Sequence, residues 1–352
     1  MKKINSSINF SIKLKCIFYL NLSFSIFCSS QNNLDYSRFV RDAELSICQQ
    51  NYIIAIEKYD SAFKIDFNHY AKDIHNSIVC NILSSKIESA INLSSKLIKI
   101  GVDSSYFLNN DVFKPMISSE LWNKQIIQKK VFTENYLKEI DTALRRELIK
   151  RYLKDQDASN SKRNEYIFEN TIWLKEMIAR NRFPSESRVG VFIENNKLKN
   201  NLHEIMLIHY SQKLKKDKSD ALKSDTLKLA SLLYELIPKG ELNPAFFATL
   251  NVIGTAYNLL PTDMEYFIVV GDSVFVRNIS NDDKNKIDSK RTLIGLHKYE
   301  DYLNIIKFNM FDKRFSLYYG NVIGFYPEFM EETFKGSAYK NIGNKKDILN
   351  MK

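Results

Sequence analysis

Ten glycines and six prolines are all that 352 residues provide for sharp turns. An all-β chain needs many such turns, with glycine taking positive φ and proline presetting its own, so this sequence is confined to mainly helical architectures. Hydrophobic residues at 44% and aromatics at 12% supply enough apolar surface for a core, which excludes a wholly disordered chain. At this length the core belongs to one large domain or to two ordinary ones.

Between Tyr36 and Gly101 the pattern predicts four helices of about 15 residues, broken near Gln50, Phe67 and Ser84. Tyr52, Ala55, Tyr59 and Ala62 recur at steps of three and four, which puts them on one helical face. A shift of 35 residues carries Ala55 onto Ala90, with Ser94 and Leu97 following it. Together with Ala43, this spacing resembles a tetratricopeptide repeat, whose small residues let paired helices approach closely. Residues 34–130 are therefore expected to form a short helical solenoid, with a boundary near residue 131.

The second part, 131–312, reads as a larger helical domain. Thr133 with Glu134 is expected to cap a long helix carrying Tyr136, Ile140, Leu144, Leu148 and Tyr152 at four-residue steps. Helices follow at about 161–181, 194–216, 220–237 and 243–258. The period then changes to β-branched runs, Glu265 to Val270 and Ser273 to Ile279. Gly271 and Asp272 join them as a hairpin near 265–279. A polar loop over 280–290 leads to a helix containing Tyr299, Tyr302, Leu303, Ile306 and Met310. Residues 313–352 read as an aromatic extension, with short strands between Ser316 and Phe325, and a frayed tail. The expected fold class is mainly α: a tetratricopeptide-like solenoid followed by a larger helical domain with a β-hairpin.

Lys2, Lys3, Lys13 and Lys15 precede an uncharged, mainly apolar run from Cys16 to Phe27, then Cys28, Ser29 and Ser30. That is the pattern of a secretory signal peptide over residues 1–30, cut after Ser30. A retained membrane anchor and a lipid attached at Cys28 stay open beside it, although Phe27 is bulkier than the small residue that lipoprotein signals place there. Export predicts a periplasmic or extracellular protein, lipid-anchored to the envelope if Cys28 carries the lipid. Cleavage removes four lysines and no acid, so the formal charge falls from +10 to +6. Of the remaining cysteines, Cys48 and Cys80 either pair as a disulfide or stay as packed thiols.

Only 12 of the 51 basic residues are arginine, and the lysines are scattered. The nearest cluster, Lys213, Lys215, Lys216 and Lys218, falls at a helix end where cations suit the dipole, so no nucleic-acid face is expected. Neither HExxH nor CxxC occurs, and His203 and His209, like His69 and His75, are six apart and point to different helical sides. The GxSxG elbow and the phosphate-cradling glycine loops are absent too, so no metal or cofactor site is expected.

Several short segments fall in a fixed order. Asp155 and Gln156 are followed by Glu169 and Asn170, Trp173, Phe183 and Pro184, then Arg188 to Gly190. Ile208 and His209 come next, then Gly240, Ala248 and Leu250, and finally Arg291, Gly295 and Tyr299. This order resembles the domain-of-unknown-function family numbered 6624, over about residues 133–306. The resemblance retains Asp155, Gln156, Asn170, Pro184, Gly190, His209, Arg291 and Gly295. The sequence departs from the family pattern at Glu169, Phe183, Ile208, Asn251 and Val252. It implies a secreted bacterial protein and no known reaction.

Leu202, Ile205, Met206 and His209 share a helical face, so His209 could serve as a general base if Asp155 or Glu169 held its second nitrogen. Asp155 and Asp157 end a helix where acids oppose the dipole, so they need a partner, and Arg163 and Arg291 are the candidates. Two functions follow. One is an exported non-catalytic binding or scaffolding protein that engages a protein or peptide through its helical surface. The other is a hydrolase-like enzyme with a pocket around His209, Asp155, Asn170 and Arg291.

Overall fold

Four helices open the fold at the expected places: α1 (34–48), α2 (Tyr52–Ala62), α3 (Ala71–Leu83) and α4 (Ile87–Lys99). The computed structural model describes residues 34–65, 68–157, 162–199, 201–216, 228–253, 267–317, 322–326 and 339–344. The expected signal segment with Cys16 and Cys28 lies outside these residues, as do Phe67, Lys218 and the tail beyond residue 344. Ala43, Ala55, Tyr59, Ala62, Ala90, Ser94 and Leu97 are all buried, as the repeat spacing requires. The alanines leave room for α3 to pack on both α2 and α4, the arrangement of a helical repeat.

α3 is enclosed on nearly every side, and its polar residues are consequently put to structural use. His75 Nε2 lies 2.9 Å from the carbonyl oxygen of Arg314, and Tyr106 Oη lies 2.7 Å from His75 Nδ1. Burial lowers the His75 pKa to about 4. Asn76 clasps the Ser316 backbone from both sides, donating to its carbonyl at 3.1 Å and accepting from its N–H at 2.7 Å. The same core admits Val191, Ile305, Phe308, Phe315 and Leu317 from later in the chain. Each such side chain contributes roughly 1.5–3 kcal/mol when fully buried. The N-terminal helices are thus closed by residues far beyond the boundary expected near residue 131.

After α5 (Ser104–Leu108) and several short helical turns, α6 (Val131–Asn135) is brief. Thr133 lies inside it and does not cap a long helix. Lys130 and Leu137 both have positive φ, which interrupts the helix on either side of α6. The long helix is α7 (Thr142–Gln156), whose cap is Asp141: its carboxylate accepts the Leu144 N–H at 2.9 Å. Leu144 and Leu148 of the expected stripe are buried, whereas Tyr136 and Ile140 precede the helix.

α8 (Arg163–Ala179) and α9 (Leu202–Lys216) pack on α7 and on each other around a second core that includes Leu148, Leu174, Phe183, Met206 and Leu207. Residues 194–199, expected to be helical, instead belong to a hairpin of β1 (Phe192–Glu194) and β2 (Lys197–Lys199). Asn195 and Asn196 both take positive φ at its two-residue turn, which is what such a turn demands. α10 (228–234) and α11 (Pro244–Ile253) follow, within the two expected helices; 235–237 form a turn and 243 precedes α11, while 220–227 and 254–258 lie outside the described residues.

The predicted hairpin is present as β3 (Phe267–Val270) and β4 (Ser273–Arg277), turning at Gly271 with φ 55°. It does not stand as a pair: β5 (Val322–Tyr326) runs parallel to β3, and β6 (Tyr339–Asn344) runs antiparallel to β4. The result is a four-stranded sheet in the order β5-β3-β4-β6. Two further strands give the hairpin the pairing that it lacks alone; β5 overlaps the stretch expected to form short strands, and β6 takes up part of the tail expected to fray. The polar stretch after β4 is helical, not a loop. Ser280 caps α12 (Asn281–Leu293) by accepting from the Asp283 N–H at 3.1 Å. α12 and α13 (Tyr299–Phe311) enclose a third core with Val269, Val274, Val276, Tyr299 and Ile306. The chain is mainly helical, with this small sheet against its C-terminal helices.

Candidate functional site

Burying a lone charge is costly, so a group of charged side chains inside a protein persists only through mutual pairing. Such a group lies where α1, α3 and the segment from Arg291 to Ile305 meet. Lys72 Nζ donates to Glu44 Oε1 at 2.9 Å and to Asp73 Oδ1 at 2.8 Å. Tyr36 Oη donates to Asp73 Oδ2 at 2.7 Å, and His297 Nε2 lies 2.6 Å from Glu44 Oε2. A carboxylate can only accept there, so Nε2 carries the hydrogen.

The charges in this network are held by their partners. Burial by itself would raise the Glu44 carboxyl, but Lys72 and the His297 hydrogen bond outweigh it and hold the group at about 2. Burial would lower Lys72, yet Asp73 and Glu44 bring it above the usual lysine value. Asp73 moves up because of burial, with Glu44 adding repulsion against the pull of Lys72. Tyr36 is raised by burial and by Asp73.

A loop glycine brings His297 into place. Gly295 has φ 80°, and a Cβ there would come within 2.9 Å of the Ser37 side chain. Only glycine allows the loop this close to α1, where Arg41 Nη1 also donates to the Gly295 carbonyl at 2.7 Å. The network lines a cavity of about 80 Å³, shared with Arg41, Arg291 and apolar groups including Val40, Leu296 and Leu317. Arg291 is only 2% exposed. Its Nε donates to the His297 carbonyl at 2.5 Å, and its guanidinium lies 4.4 Å from the centroid of the Tyr302 ring. Among the described residues, Arg291 Nη1 and His297 Nδ1 have no hydrogen-bond partner. Burial lowers the pKa of both Arg41 and Arg291.

The four residues singled out in the sequence do not form one pocket. His209 Nδ1 and Asp155 Oδ2 are 2.5 Å apart, the contact expected for a positioned histidine. Asp155 is 0% exposed and the His209 side chain 16%, so the acid is interior and the imidazole reaches toward the surface. Gln156 Nε2 also donates to Asp155 Oδ2 at 2.9 Å, while Arg163 binds the Asp155 backbone carbonyl and not its carboxylate. Asn170 is buried on α8, which packs against both helices of the pair, and its amide nitrogen is unbonded among the described residues. Arg291 belongs to the Glu44 and His297 cavity, so among the described contacts neither of the proposed arginine partners holds the Asp155 carboxylate. His209 lines neither that cavity nor the hollow beside Glu186.

A third buried group joins the halves of the chain. The Glu186 carboxylate accepts the backbone N–H of Ala71, which satisfies the first turn of α3 from outside its own helix. Burial pushes Glu186 up to about 7, and the buried Glu204 is raised well above its usual value by burial and by Glu186. His203 packs its ring edge-on to Phe183, and burial lowers its pKa to about 3. Cys48 and Cys80 are free thiols, both raised by burial, so the disulfide reading does not hold. The described residues include no cluster of three or more metal-ligating side chains.

Glu44, Lys72, Asp73 and His297 were not legible as a site. Glu44 and His297 are 253 residues apart, beyond any spacing rule. One local signal existed: Lys72 and Asp73 begin a helix whose later positions are largely apolar. No family model matches this chain, and comparison with curated proteins and with solved structures finds no match.

Proposed function

We propose that this chain is an exported, non-catalytic binding protein whose ligand site is the charged cavity between α1, α3 and the Arg291 to Ile305 segment. The observation that carries the reading is the mutual pairing of its ionisable groups. General acid–base chemistry needs a group that exchanges its proton near the working pH. Glu44 sits far below neutrality and Lys72 above its usual value, so both keep fixed charges, and Asp73 is hydrogen-bonded at both oxygens. Fixed charges around a small cavity orient a ligand, and Glu44 and Lys72 offer it no exchangeable proton near neutrality. Export rests on the sequence of residues 1–30, and the mature protein should begin at Gln31 by mass spectrometry. A chain starting at Cys28 with added lipid mass would favour the anchored form.

A hydrolase-like enzyme is the second reading, favoured by the 2.5 Å contact of His209 with Asp155. That contact puts the hydrogen on Nδ1 and the lone pair on Nε2, the form a general base requires. A screen of ester, amide and phosphoester substrates separates the two readings. Turnover abolished by His209→Ala would replace the binding proposal with the enzyme. The binding proposal expects none.

A further inference from the structure

Two buried polar atoms on residues that line one cavity call for an explanation, since such atoms normally have partners. Arg291 Nη1 cannot escape its need by deprotonating, because a guanidinium keeps its charge in proteins. His297 Nδ1 is the second orphan, on a ring whose other nitrogen already faces Glu44. Among the residues lining the cavity, Arg41, Lys72 and Arg291 bring three positive charges against the two of Glu44 and Asp73. The excess is a single unit, which favours a monoanion over a dianion, because Glu44 and Asp73 would repel a second negative charge.

Size and lining narrow the choice further. A water occupies roughly 10–15 Å³ of such space, so a cavity of about 80 Å³ takes a ligand of only a few heavy atoms. Val40, Leu296, Ile305 and Leu317 form an apolar wall, which suits a short hydrocarbon body.

We propose that this cavity binds a short-chain monocarboxylate. Its carboxylate accepts from Arg291 Nη1, while its hydrocarbon lies on Val40 and Leu317. This assignment rests on the binding reading above and names the chemical class of its ligand.

The test is calorimetric titration of the full chain with sodium butyrate at constant ionic strength, with butyramide and inorganic phosphate run in parallel. One saturable butyrate site is expected, with no matching site for butyramide. Arg291→Gln should weaken it roughly 10- to 150-fold, the range of one charged hydrogen bond. Val40→Phe, which fills the apolar end and removes no charge, should weaken binding as well, and carries the variant arm if Arg291→Gln does not fold by circular dichroism. The assignment is overturned if butyrate shows no saturable binding, if butyramide binds equally, if phosphate binds more tightly, or if a folded variant binds as the wild type does. Any of these results without substrate turnover removes the monocarboxylate and leaves the binding reading standing. Turnover lost with His209→Ala removes the binding reading itself.

Discussion

Replacing Lys72 with methionine keeps most of the length of the side chain and removes the cation that touches both Glu44 and Asp73 within 3 Å. Glu44 lies at about 2 where an ordinary glutamate lies at 4.5, a difference near 2.5 units. At 1.36 kcal/mol per unit this is about 3 kcal/mol of net stabilisation of its charged form, supplied by Lys72 and His297 against burial. Stranding two buried carboxylates should therefore cost about 3–4 kcal/mol at pH 7.5, in line with other broken buried ion pairs. The sign with pH is fixed. In the wild type the contribution of Glu44 is fully present above pH 4.5 and is lost as pH falls toward 2. In Lys72→Met the unpaired carboxyls titrate at higher pH, so the penalty should shrink between pH 7.5 and 5 as they take up protons. Urea denaturation of both proteins at the two pH values, followed by circular dichroism, measures it. Adding Glu44→Gln and Asp73→Asn to the methionine variant should restore much of the loss at pH 7.5. A cost below about 1 kcal/mol, or a penalty the same at both pH values, would refute the argument that Lys72 neutralises a buried pair.

Ala55 is fully buried beside α3, so Ala55→Leu should overpack the contact and cost about 1–3 kcal/mol, read as a lowered melting temperature. Glu186 is raised to about 7, so its favourable protonated form is fully present below pH 4.5 and lost as pH rises through 7. Glu186→Gln should accordingly gain about 1–2 kcal/mol relative to wild type between pH 5 and 8, measured by denaturation midpoints; parallel curves would count against a buried neutral acid. Mature protein should show two thiols on denaturation without reductant, and Cys80 should react slowly with a thiol reagent while folded. A mass two hydrogens lower would mean that the cysteines are paired.

The helices around Ala55 and Ala90 were legible because packing demands small residues at fixed steps, and sequence displays steps directly. Capping was less so. Thr133 with Glu134 and Asp141 with Thr142 are both plausible helix starts, and the choice fell to Asp141 through the positive φ of Leu137 between them, which no pattern announces. The turn at Asn195 and Asn196 did carry a signal, since asparagine tolerates positive φ, but Lys197–Lys199 holds a single apolar residue, too little to read as a strand. Residues 280–290 read as a loop because all but Ile287 are polar, although Ser280 with Asp283 was a legible cap. In the candidate sites, the His209 contact with Asp155 follows from helix-face placement. The Glu44 network joins a first helix to a loop near residue 297, and such contacts are fixed by tertiary packing alone.

The clasp of Asn76 on Ser316, with Phe315 and Leu317 seated among the first helices, also sets a timetable. A ribosome makes chain at only about 5–20 residues per second, so α1 to α4 wait many seconds for the partners that complete them. Through that interval the apolar groups that those partners will cover stay open to solvent, so a chain cut short before residue 310 should aggregate more readily than the full chain.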